Sequence, residues 1–423
     1  ENLDWAELRF DGPPVTQSQR LPLYRQSANQ LLASGRAYRC FCTTERLETL
    51  RRDQEAKKLP LRYDGRCRPR DTAAAPHGAA ANTTSVIRFA MPPQGTIACD
   101  DLIRGRIMFN AATLDDQILM KTDGFPTYHL ASVVDDHAME ITHVIRGEEW
   151  LPSMPKHIRL YQAFGWTPPA FAHLPLLLNA DRSKLSKRTG DVAVDEYRAA
   201  GYLPQAVINF VSLLGWNPGT DQEIFSLDEL VSQFSLERVN KSGAVFNRDK
   251  LDWINGWYLR HLAPDRLVAL AEPRLKAAGL IDADGAADRA YLQQVVGLEQ
   301  NRVKRLDELP SLVDYFFRDP EVDPRLLPWR GQTPAACRRV LEASAERLAQ
   351  LAPDAFTAKG VAEATKALMA EHGWSNGEAL WPLRVALTGR RASPGLHEIS
   401  PILGQRVTVA RVRLAAAQLI EQT

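Results

Sequence analysis

Residues 122–150 read TDGFPTYHLASVVDDHAMEITHVIRGEEW. Two short apolar runs inside this stretch, 128–134 and 141–145, read as strands. Residues 151–164 then carry apolar positions at helical spacing, with Pro152 in the first turn. Residues 173–178, HLPLLL, read as a further short buried strand. Strand, helix, strand is the alternation of a parallel sheet, so this part of the chain predicts an α/β domain.

The last strand runs directly into a polar, basic loop, 179–190, which contains Lys184-Leu185-Ser186-Lys187-Arg188. A nucleoside triphosphate needs its developing negative charge neutralised in the transition state. Lysines on a loop at a sheet's carboxyl edge can supply that. Taken as a bare pentapeptide, KLSKR reads by default as an ordinary basic surface loop; its context reverses that.

On the N-terminal side, residues 23–34 have helical spacing and stop at Gly35. Thr43 or Thr44 opens a second, very polar helix. Residues 46–70 hold nine Lys or Arg against four Asp or Glu, which fits either a solvated helix face or a contact with phosphates. Residues 71–84 read as a loop. The runs 85–91, 106–109 and 117–121 read as strands of an antiparallel or mixed patch. On the C-terminal side the pattern becomes helical: 192–200, 204–214, 227–234 and 248–261. Residues 264–423 are helical almost throughout, broken at Gly279, Pro310, Pro320–Pro328, Pro353 and Pro394.

The five cysteines are Cys40, Cys42, Cys67, Cys99 and Cys337. An odd number with no secretory leader argues against a disulfide framework and for a reduced, cytoplasmic compartment. Cys40, Cys42 and Cys67 with one further ligand would complete a tetrahedral Zn²⁺ site. The other reading is three reduced thiols packed in a small domain. With 423 residues, 45% hydrophobic and 24% charged, the chain is an ordinary globular composition of two to four domains. A net charge of +1 does not by itself point to nucleic acid. No apolar run approaches the about 18 residues of a membrane span.

Residues 122–150, followed by KLSKR and then by GDVAVDEYRAAGYLPQAVINFVSLLGW, resemble the bacterial-type glutamyl-tRNA synthetases, which are class I aminoacyl-tRNA synthetases. The likeness runs through essentially the whole chain and is densest over residues 117–260. It implies a Rossmann-type nucleotide fold, an inserted α+β domain that binds the acceptor stem, and an all-α anticodon-binding region. The implied boundaries are 1–22 for a remnant of the first half of the nucleotide fold and 23–124 for the insert. They continue as 125–190 for the second half, 191–262 for a helical stem-contact domain and 263–423 for the anticodon domains. It implies glutamate–tRNA ligase activity: L-glutamate and ATP, with Mg²⁺, form glutamyl-adenylate, and the glutamyl group passes to the 3′ end of tRNA(Glu). The family's usual state is a monomer.

The same resemblance assigns residues. Lys187 is the main phosphate-stabilising lysine, supported by Lys184 and Ser186. Arg188, Glu149, Trp150, Leu176 and Leu177 match the ATP site. Tyr128 and Arg146 match the glutamate pocket; an arginine suits it because its planar fork binds a carboxylate through paired bonds. Read from the residues alone, Tyr128 is equally a core aromatic and Arg146 an ion-pair partner of Glu148 or Glu149. Ser132 stands where many relatives carry Asn. Arg302 matches an arginine that reads the third anticodon base, and is otherwise a solvated helix arginine. The cysteine spacing resembles the zinc element of some members. The fourth ligand is left open: Tyr63 is the candidate from the Tyr-x-x-x-Cys pattern, the histidine that other members use is replaced by Pro69, and His77 is a distant substitute.

The first class I signature, a histidine-rich turn that places a helix N-terminus at the phosphates, is not found in residues 1–423. The resemblance begins near Leu3-Asp4-Trp5. Two expectations follow. The sequence is a fragment of a complete enzyme, or it is a non-catalytic tRNA-binding paralogue. In either case this polypeptide alone is expected to aminoacylate little or not at all, and to be poorly soluble through exposed apolar surface. Glutaminyl-tRNA synthetases, which read the anticodon with β-barrels, and short glutamylating enzymes without a C-terminal half both fit less well.

Overall fold

The structure, a computed structural model, describes residues 1–68, 85–185, 193–282 and 288–419. The chain divides into two units, Glu7–Ser186 with Val211–Phe246, and Glu1–Ala6 with Lys187–Phe210 and Asn247–Thr423. The strands are β1 (Ala37–Cys40), β2 (Val86–Phe89), β3 (Thr96–Asp101), β4 (Gly105–Asn110), β5 (Ile118–Met120), β6 (His143–Gly147), β7 (Ala170–Leu174), β8 (Leu177–Leu178) and β9 (Ala244–Val245). The first five helices are α1 (Asn2–Trp5), α2 (Leu21–Ala33), α3 (Thr44–Ala56), α4 (Tyr128–Ala138) and α5 (Met154–Phe164).

In the first unit, β1, β2 and β5 form an antiparallel sheet. A second sheet has the order β4-β3-β7-β6. There β3 is antiparallel to β4 but parallel to β7, and β6 is parallel to β7 in register from His143↔Ala170 to Gly147↔Leu174. This sheet takes two strands from each side of residue 124. The segment β6-α5-β7 is the strand, helix, strand unit that the sequence predicts. A polar turn closes β3 onto β4. Asp101 Oδ1 accepts from the N–H groups of Ile103 and Arg104 at 3.0 and 2.8 Å, and Gly105, at φ +77°, takes the left-handed position.

One core runs beneath both sheets, filled by Tyr24, Leu31, Phe89, Leu130, Leu160 and Phe171. Burying such side chains contributes about 1.5–3 kcal/mol each. The core also takes in a charge. Asp135 on α4 is buried, and its carboxylate accepts from the Tyr24 hydroxyl at 2.7 and 2.9 Å and from Gln17 Nε2 at 2.9 Å. It also pairs with Arg20 Nε at 3.0 Å. A buried carboxylate is tolerable only with such a full set of donors, and this set fastens α2 to α4.

Several sequence expectations are corrected. Residues 128–134 are not a strand but the first turns of α4. Leu130, Ala131, Val133 and Val134 satisfy a helical stripe as well as a short apolar strand, and the eleven-residue length settles it. The strand expected at 141–145 lies two residues later, because Glu140 (φ +55°) and Ile141 complete the turn after α4; Ile141 N–H bonds to Asp136 O. The helix expected at 151–164 begins at Met154, after a 3₁₀ turn, Glu148–Ser153, that contains Pro152. HLPLLL is not one strand: Pro175, which lacks an N–H for the ladder, separates β7 from β8, and the two lie in different sheets. Three strands were not expected, β1 (AYRC), β3 (TIACDD) and the two-residue β9 (AV). In β3 the inward residues Ile97, Cys99 and Asp101 include a carboxylate, which spoils the apolar alternation.

The other unit is helical, as expected. It holds α6 (Val194–Ala200), the start of α7 (Pro204–Gly215), α9 (Arg248–Arg260), α10 (Pro264–Ala277), α11 (Arg289–Glu299) and α12 (Leu309–Val313); α8 (Leu227–Gln233) belongs to the first unit. It ends in α13 (Pro334–Ala349), α14 (Ala358–His372), α15 (Asn376–Thr388), α16 (Leu396–Leu403) and α17 (Gln405–Gln418). Thr333, Thr357 and Ser375 cap α13, α14 and α15 by accepting from the N3 backbone. Arg411 on α17 is buried and donates to three carbonyls, Tyr315, Leu387 and Arg318, while pairing with Asp319 at 3.1 Å. Among the described residues no helix is long and apolar enough to cross a membrane.

Candidate active site

Arg146 on β6, Tyr128 at the first position of α4 and Trp150 in the following 3₁₀ turn come together, although the sequence separates them by up to 22 positions. Arg146 Nη1 lies 3.5 Å from the Tyr128 hydroxyl. The Tyr128 and Trp150 ring centroids are 4.6 Å apart. The guanidinium carbon sits 5.9 Å from the Trp150 ring centre and 5.7 Å from that of Phe171. Tyr128 is 46% exposed, so it is not the core aromatic of the alternative reading. Ser132 lies one helical turn beyond Tyr128, and its buried hydroxyl has no partner among the described residues.

Arg146 does not pair with Glu148. That carboxylate is taken by Arg104 at 2.6 Å, and its other oxygen accepts from Leu176 N–H at 3.1 Å. Arg146 is instead set among histidines. Its Nε points at His173 Nε2, 3.3 Å away, and its Nη1 at His157 Nδ1, 3.4 Å away. Each ring leads further inward. His173 Nδ1 is 2.6 Å from Asp101 Oδ2, and His157 Nε2 is 2.9 Å from His129 Nδ1. Arg146 Nη2 is buried without a partner among the described residues.

The electrostatics follow from this packing. Burial depresses His157 well below the usual histidine range, and the Arg146 charge adds to it. Burial, then Lys156 and Arg146, lowers His129 to about 4. Burial also lowers His173, against the opposing pull of Asp101. Burial alone would raise the Asp101 carboxyl; the N–H of Arg104, the His173 ring and the N–H groups of Ile103 and His173 outweigh it and hold it below the usual range. None of these four residues was singled out from the sequence. The available signal was weak: histidines on a buried strand and in a buried helix stripe, which read as core.

Of the residues matched to ATP, Glu149 and Trp150 are exposed, Leu176 is half-buried, and Leu177 in β8 is 38% exposed. β8 pairs in parallel with β9. The chain then turns back on itself: Leu178 bridges Lys184, and Leu185 N–H bonds to Leu177 O at 2.9 Å. Asp181 Oδ1 pins the turn by accepting from Ser183 N–H and Oγ at 2.8 and 2.6 Å. The Lys184 side chain is exposed. Ser186, Lys187 and Arg188 lie outside the described residues, as do Pro69 and His77.

The Cys40, Cys42 and Cys67 sulfurs lie within 4.8 Å of one another. The Tyr63 hydroxyl is 3.4 Å from both Cys40 Sγ and Cys42 Sγ, and Cys42 Sγ is 3.5 Å from Cys67 Sγ. A tetrahedral zinc with sulfur and oxygen ligands needs edges of about 3.4–3.8 Å, given its bond lengths of about 2.0–2.3 Å. The edges Tyr63–Cys40, Tyr63–Cys42 and Cys42–Cys67 have that length, which suits such an ion. Arg46 Nη1 donates to Cys42 Sγ at 3.3 Å, and the Arg88 guanidinium lies 4.1 Å above the Tyr63 ring, so positive charge faces the thiols. Burial nevertheless pushes Cys42 up to about 11, whereas at Cys40 hydrogen bonds, led by the one with Tyr63, outweigh burial and lower it. Cys99 and Cys337 are buried thiols outside this cluster.

In the helical unit, Arg302 follows the end of α11 and is partly exposed. Its Nη1 donates to both carboxylate oxygens of Glu299, at 3.0 and 2.8 Å.

A mixed α/β sheet with an arginine, Arg146, near the C-terminal end of a strand, together with a helical unit, agrees with the comparisons. Residues 1–253 match the family described as tRNA synthetases class I (E and Q), catalytic domain, and residues 266–416 match an anticodon binding domain. The chain belongs to the class I tRNA synthetases of this glutamate and glutamine group. It is 44% identical to a glutamate–tRNA ligase of Dehalococcoides mccartyi over 430 aligned positions, covering 100% of this chain and 86% of that protein. It is 43% identical to one from Alkaliphilus metalliredigens, covering 96% and 82%. A crystal structure of a glutamate tRNA ligase from Elizabethkingia meningosepticum, in complex with its amino acid, superposes with a TM-score of 0.85 at 33% identity, covering 99% of this chain and 88% of that one.

Proposed function

We infer that this chain is a glutamate–tRNA ligase, which activates L-glutamate with ATP and transfers it to the 3′ end of tRNA(Glu). The observation that carries the reading is the 44% identity to a glutamate–tRNA ligase over all of this chain. In the first step a glutamate carboxylate oxygen attacks the α-phosphorus of ATP. The bond to the bridging oxygen breaks, and pyrophosphate leaves. In the second, a hydroxyl of the terminal ribose attacks the acyl carbon and AMP leaves.

Arg146 and Tyr128 bind a carboxylate of glutamate in this reading. Arg146 is suited to it because no carboxylate among the described residues pairs with it and one of its nitrogens is unpartnered. Ser132 supplies a further hydroxyl. Trp150, Glu149, Leu176 and Leu177 border the nucleotide. Lys187 stabilises the charge that develops on the phosphates, with Lys184, Ser186 and Arg188 beside it. Mg²⁺ would neutralise part of the phosphate charge when bound with ATP. Cys40, Cys42, Cys67 and Tyr63 would hold a structural Zn²⁺ that ties residues 42–67 to β1; their spacing supports it. Arg302 contacts the anticodon. The boundaries at 22, 124, 190 and 262, the cytoplasmic location and the monomeric state belong to the same reading.

The test is aminoacylation of tRNA(Glu) by this polypeptide and by one extended upstream, with tRNA binding recorded for both. Glutamate esterified to tRNA(Glu) is the expected product. Transfer of a different amino acid, or tRNA binding without charging by the extended polypeptide, would overturn the reading.

A further inference from the structure

We propose that Asp101 with His173, and His129 with His157, are positioning residues that lock the Arg146 guanidinium in one orientation while leaving its charge unneutralised for the glutamate carboxylate. The proposal rests on the reading of Arg146 as a glutamate-binding group.

The donor and acceptor inventory fixes the tautomers. An arginine only donates, so His173 Nε2 and His157 Nδ1, which face Arg146, must both be lone pairs. His173 then carries its proton on Nδ1 and donates to Asp101 Oδ2. His157 carries its proton on Nε2 and donates to His129 Nδ1. Each imidazole is therefore neutral and is oriented by a group behind it, the logic by which an outer partner fixes a metal-bound histidine. Exposure of 0% for His173 and 2% for His157 keeps water from replacing either ring.

A carboxylate in the same places would hold the arginine as well but would cancel its charge. The nearby carboxylates are engaged elsewhere: Glu148 by Arg104, and Asp101 by His173 and by three backbone N–H groups. Burial pushes the Asp136 carboxyl up towards its neutral form, with Arg146 opposing. Two nitrogens of the guanidinium are thus spoken for by neutral acceptors, and the buried Nη2 is not. Phe171 and Trp150 border the group on other sides.

The geometry supplies an isosteric probe. In Asp101→Asn, the amide oxygen must remain on the N–H groups of Ile103, Arg104 and His173, which turns the NH₂ toward His173 Nδ1. His173 must then accept there and carry its proton on Nε2, facing the Arg146 Nε–H. Two donors meet, and the arginine loses its brace.

The experiment is steady-state ATP–pyrophosphate exchange with tRNA(Glu) present, in the polypeptide extended upstream, with ¹⁵N NMR of the histidine rings. D101N should move the His173 proton from Nδ1 to Nε2 and raise the glutamate KM by about tenfold or more, the usual cost of losing a hydrogen bond to a charged group, with the ATP KM unchanged. In H173Q, whose amide oxygen reaches Arg146 without Asp101, adding D101N should change the glutamate KM little further. Should D101N fail to fold, H157L and H157N carry the test: leucine removes the acceptor and raises the glutamate KM, and asparagine restores it. An unchanged glutamate KM in D101N with the tautomer switched, or equal values for H157L, H157N and the parent, would overturn the proposal. R146A separates the two levels. If it leaves the glutamate KM unchanged, the assignment of Arg146 itself fails; if it raises it while D101N and H157L do not, only the positioning proposal fails.

Discussion

Arg302 and Glu299 form an ion pair in which one guanidinium nitrogen reaches both oxygens of a carboxylate that is only 1% exposed. Tyr315 Oη stands 3.5 Å from the same carboxylate. Burial raises the Glu299 carboxyl above its ordinary range, and Arg302 is the first of the groups that hold it down. The pair therefore has a fold-level job whatever Arg302 does toward tRNA. Removing Arg302 leaves a buried charge, which in fully buried pairs costs about 3–5 kcal/mol; its partial exposure reduces that to about 1–3 kcal/mol here.

The expected result is a lower denaturant midpoint for the helical unit in R302A, most of it recovered in R302A/E299Q, where no charge is left behind. The sign with pH follows. A carboxyl with a raised folded pKa gives its stability below the unfolded value and loses it as pH rises through the folded one. The R302A deficit should therefore shrink toward pH 4. A deficit equal at pH 4 and pH 7 would remove Glu299 as its cause. An anticodon role predicts, separately, weaker tRNA(Glu) binding in R302A than in E299Q.

The thiol cluster makes a stoichiometric prediction. If Cys40, Cys42, Cys67 and Tyr63 hold zinc, purified protein should carry about one equivalent by elemental analysis, in the four-coordinate manner of structural sites. C40S and C67S should each lose most of it, and chelation should expose α3 and β1 to hydrogen exchange. Y63F distinguishes a ligand from a neighbour. It should weaken zinc retention during dialysis if the hydroxyl coordinates, and leave retention unchanged if the oxygen only accepts from Cys67 N–H, as it does at 2.8 Å.

The histidines around Arg146 make the first unit acid-sensitive. His129 is depressed to about 4 by burial and its cationic neighbours, and burial with the Arg146 charge holds His157 well below the usual histidine range. Unfolded, each takes up a proton near pH 6.5, so between about pH 6.5 and pH 4 the unfolded chain binds more protons and stability falls as pH falls. The slope is at most about 1.4 kcal/mol per pH unit for each histidine. H129Q should flatten it, with hydrogen exchange in α4 and α5 as the readout. An equal slope in H129Q and the parent would show that His129 is not titrating.

Much of this fold was legible because the deciding patterns are local. KLSKR, the helical periodicity after residue 192 and the C-x-C spacing each lie within a short window. What was not legible depends on partners distant in sequence. The run 128–134 satisfies two periods, and only the α2 side chain Tyr24, 111 positions away from Asp135, shows which face must be inward. β3 was hidden by Asp101, whose burial makes sense only once His173, 72 positions later, is beside it. Tyr128, Arg146 and Trp150, which the structure brings together, were singled out by resemblance, whereas the four residues behind Arg146 carry no motif. Their chemistry lies in tautomer and burial, which a linear sequence does not display.

The loop after β8 yields a graded prediction. Asp181 and the Leu178–Lys184 bridge hold its first half, so the Lys184 backbone is fixed while its side chain is exposed. A lysine in that position contributes as a point charge at a distance, through solvent that screens it. Lys187, three residues on, is the residue the motif assigns to the phosphates. K187A should slow adenylation by about 2–4 kcal/mol of transition-state stabilisation, the range for removing a preorganised donor, with little change in the ATP KM. K184A should cost about 1 kcal/mol or less, and that cost should grow at low salt, since screening acts over a Debye length of about 10 Å at 0.1 M that lengthens as salt falls. K187R should recover only part of the rate, because a planar fork does not reproduce a compact ammonium. Single-turnover formation of glutamyl-adenylate with tRNA(Glu) bound reads all three. An order reversed between K184A and K187A would transfer the main phosphate role to Lys184, and equal, small effects of both would remove the loop from the chemical step.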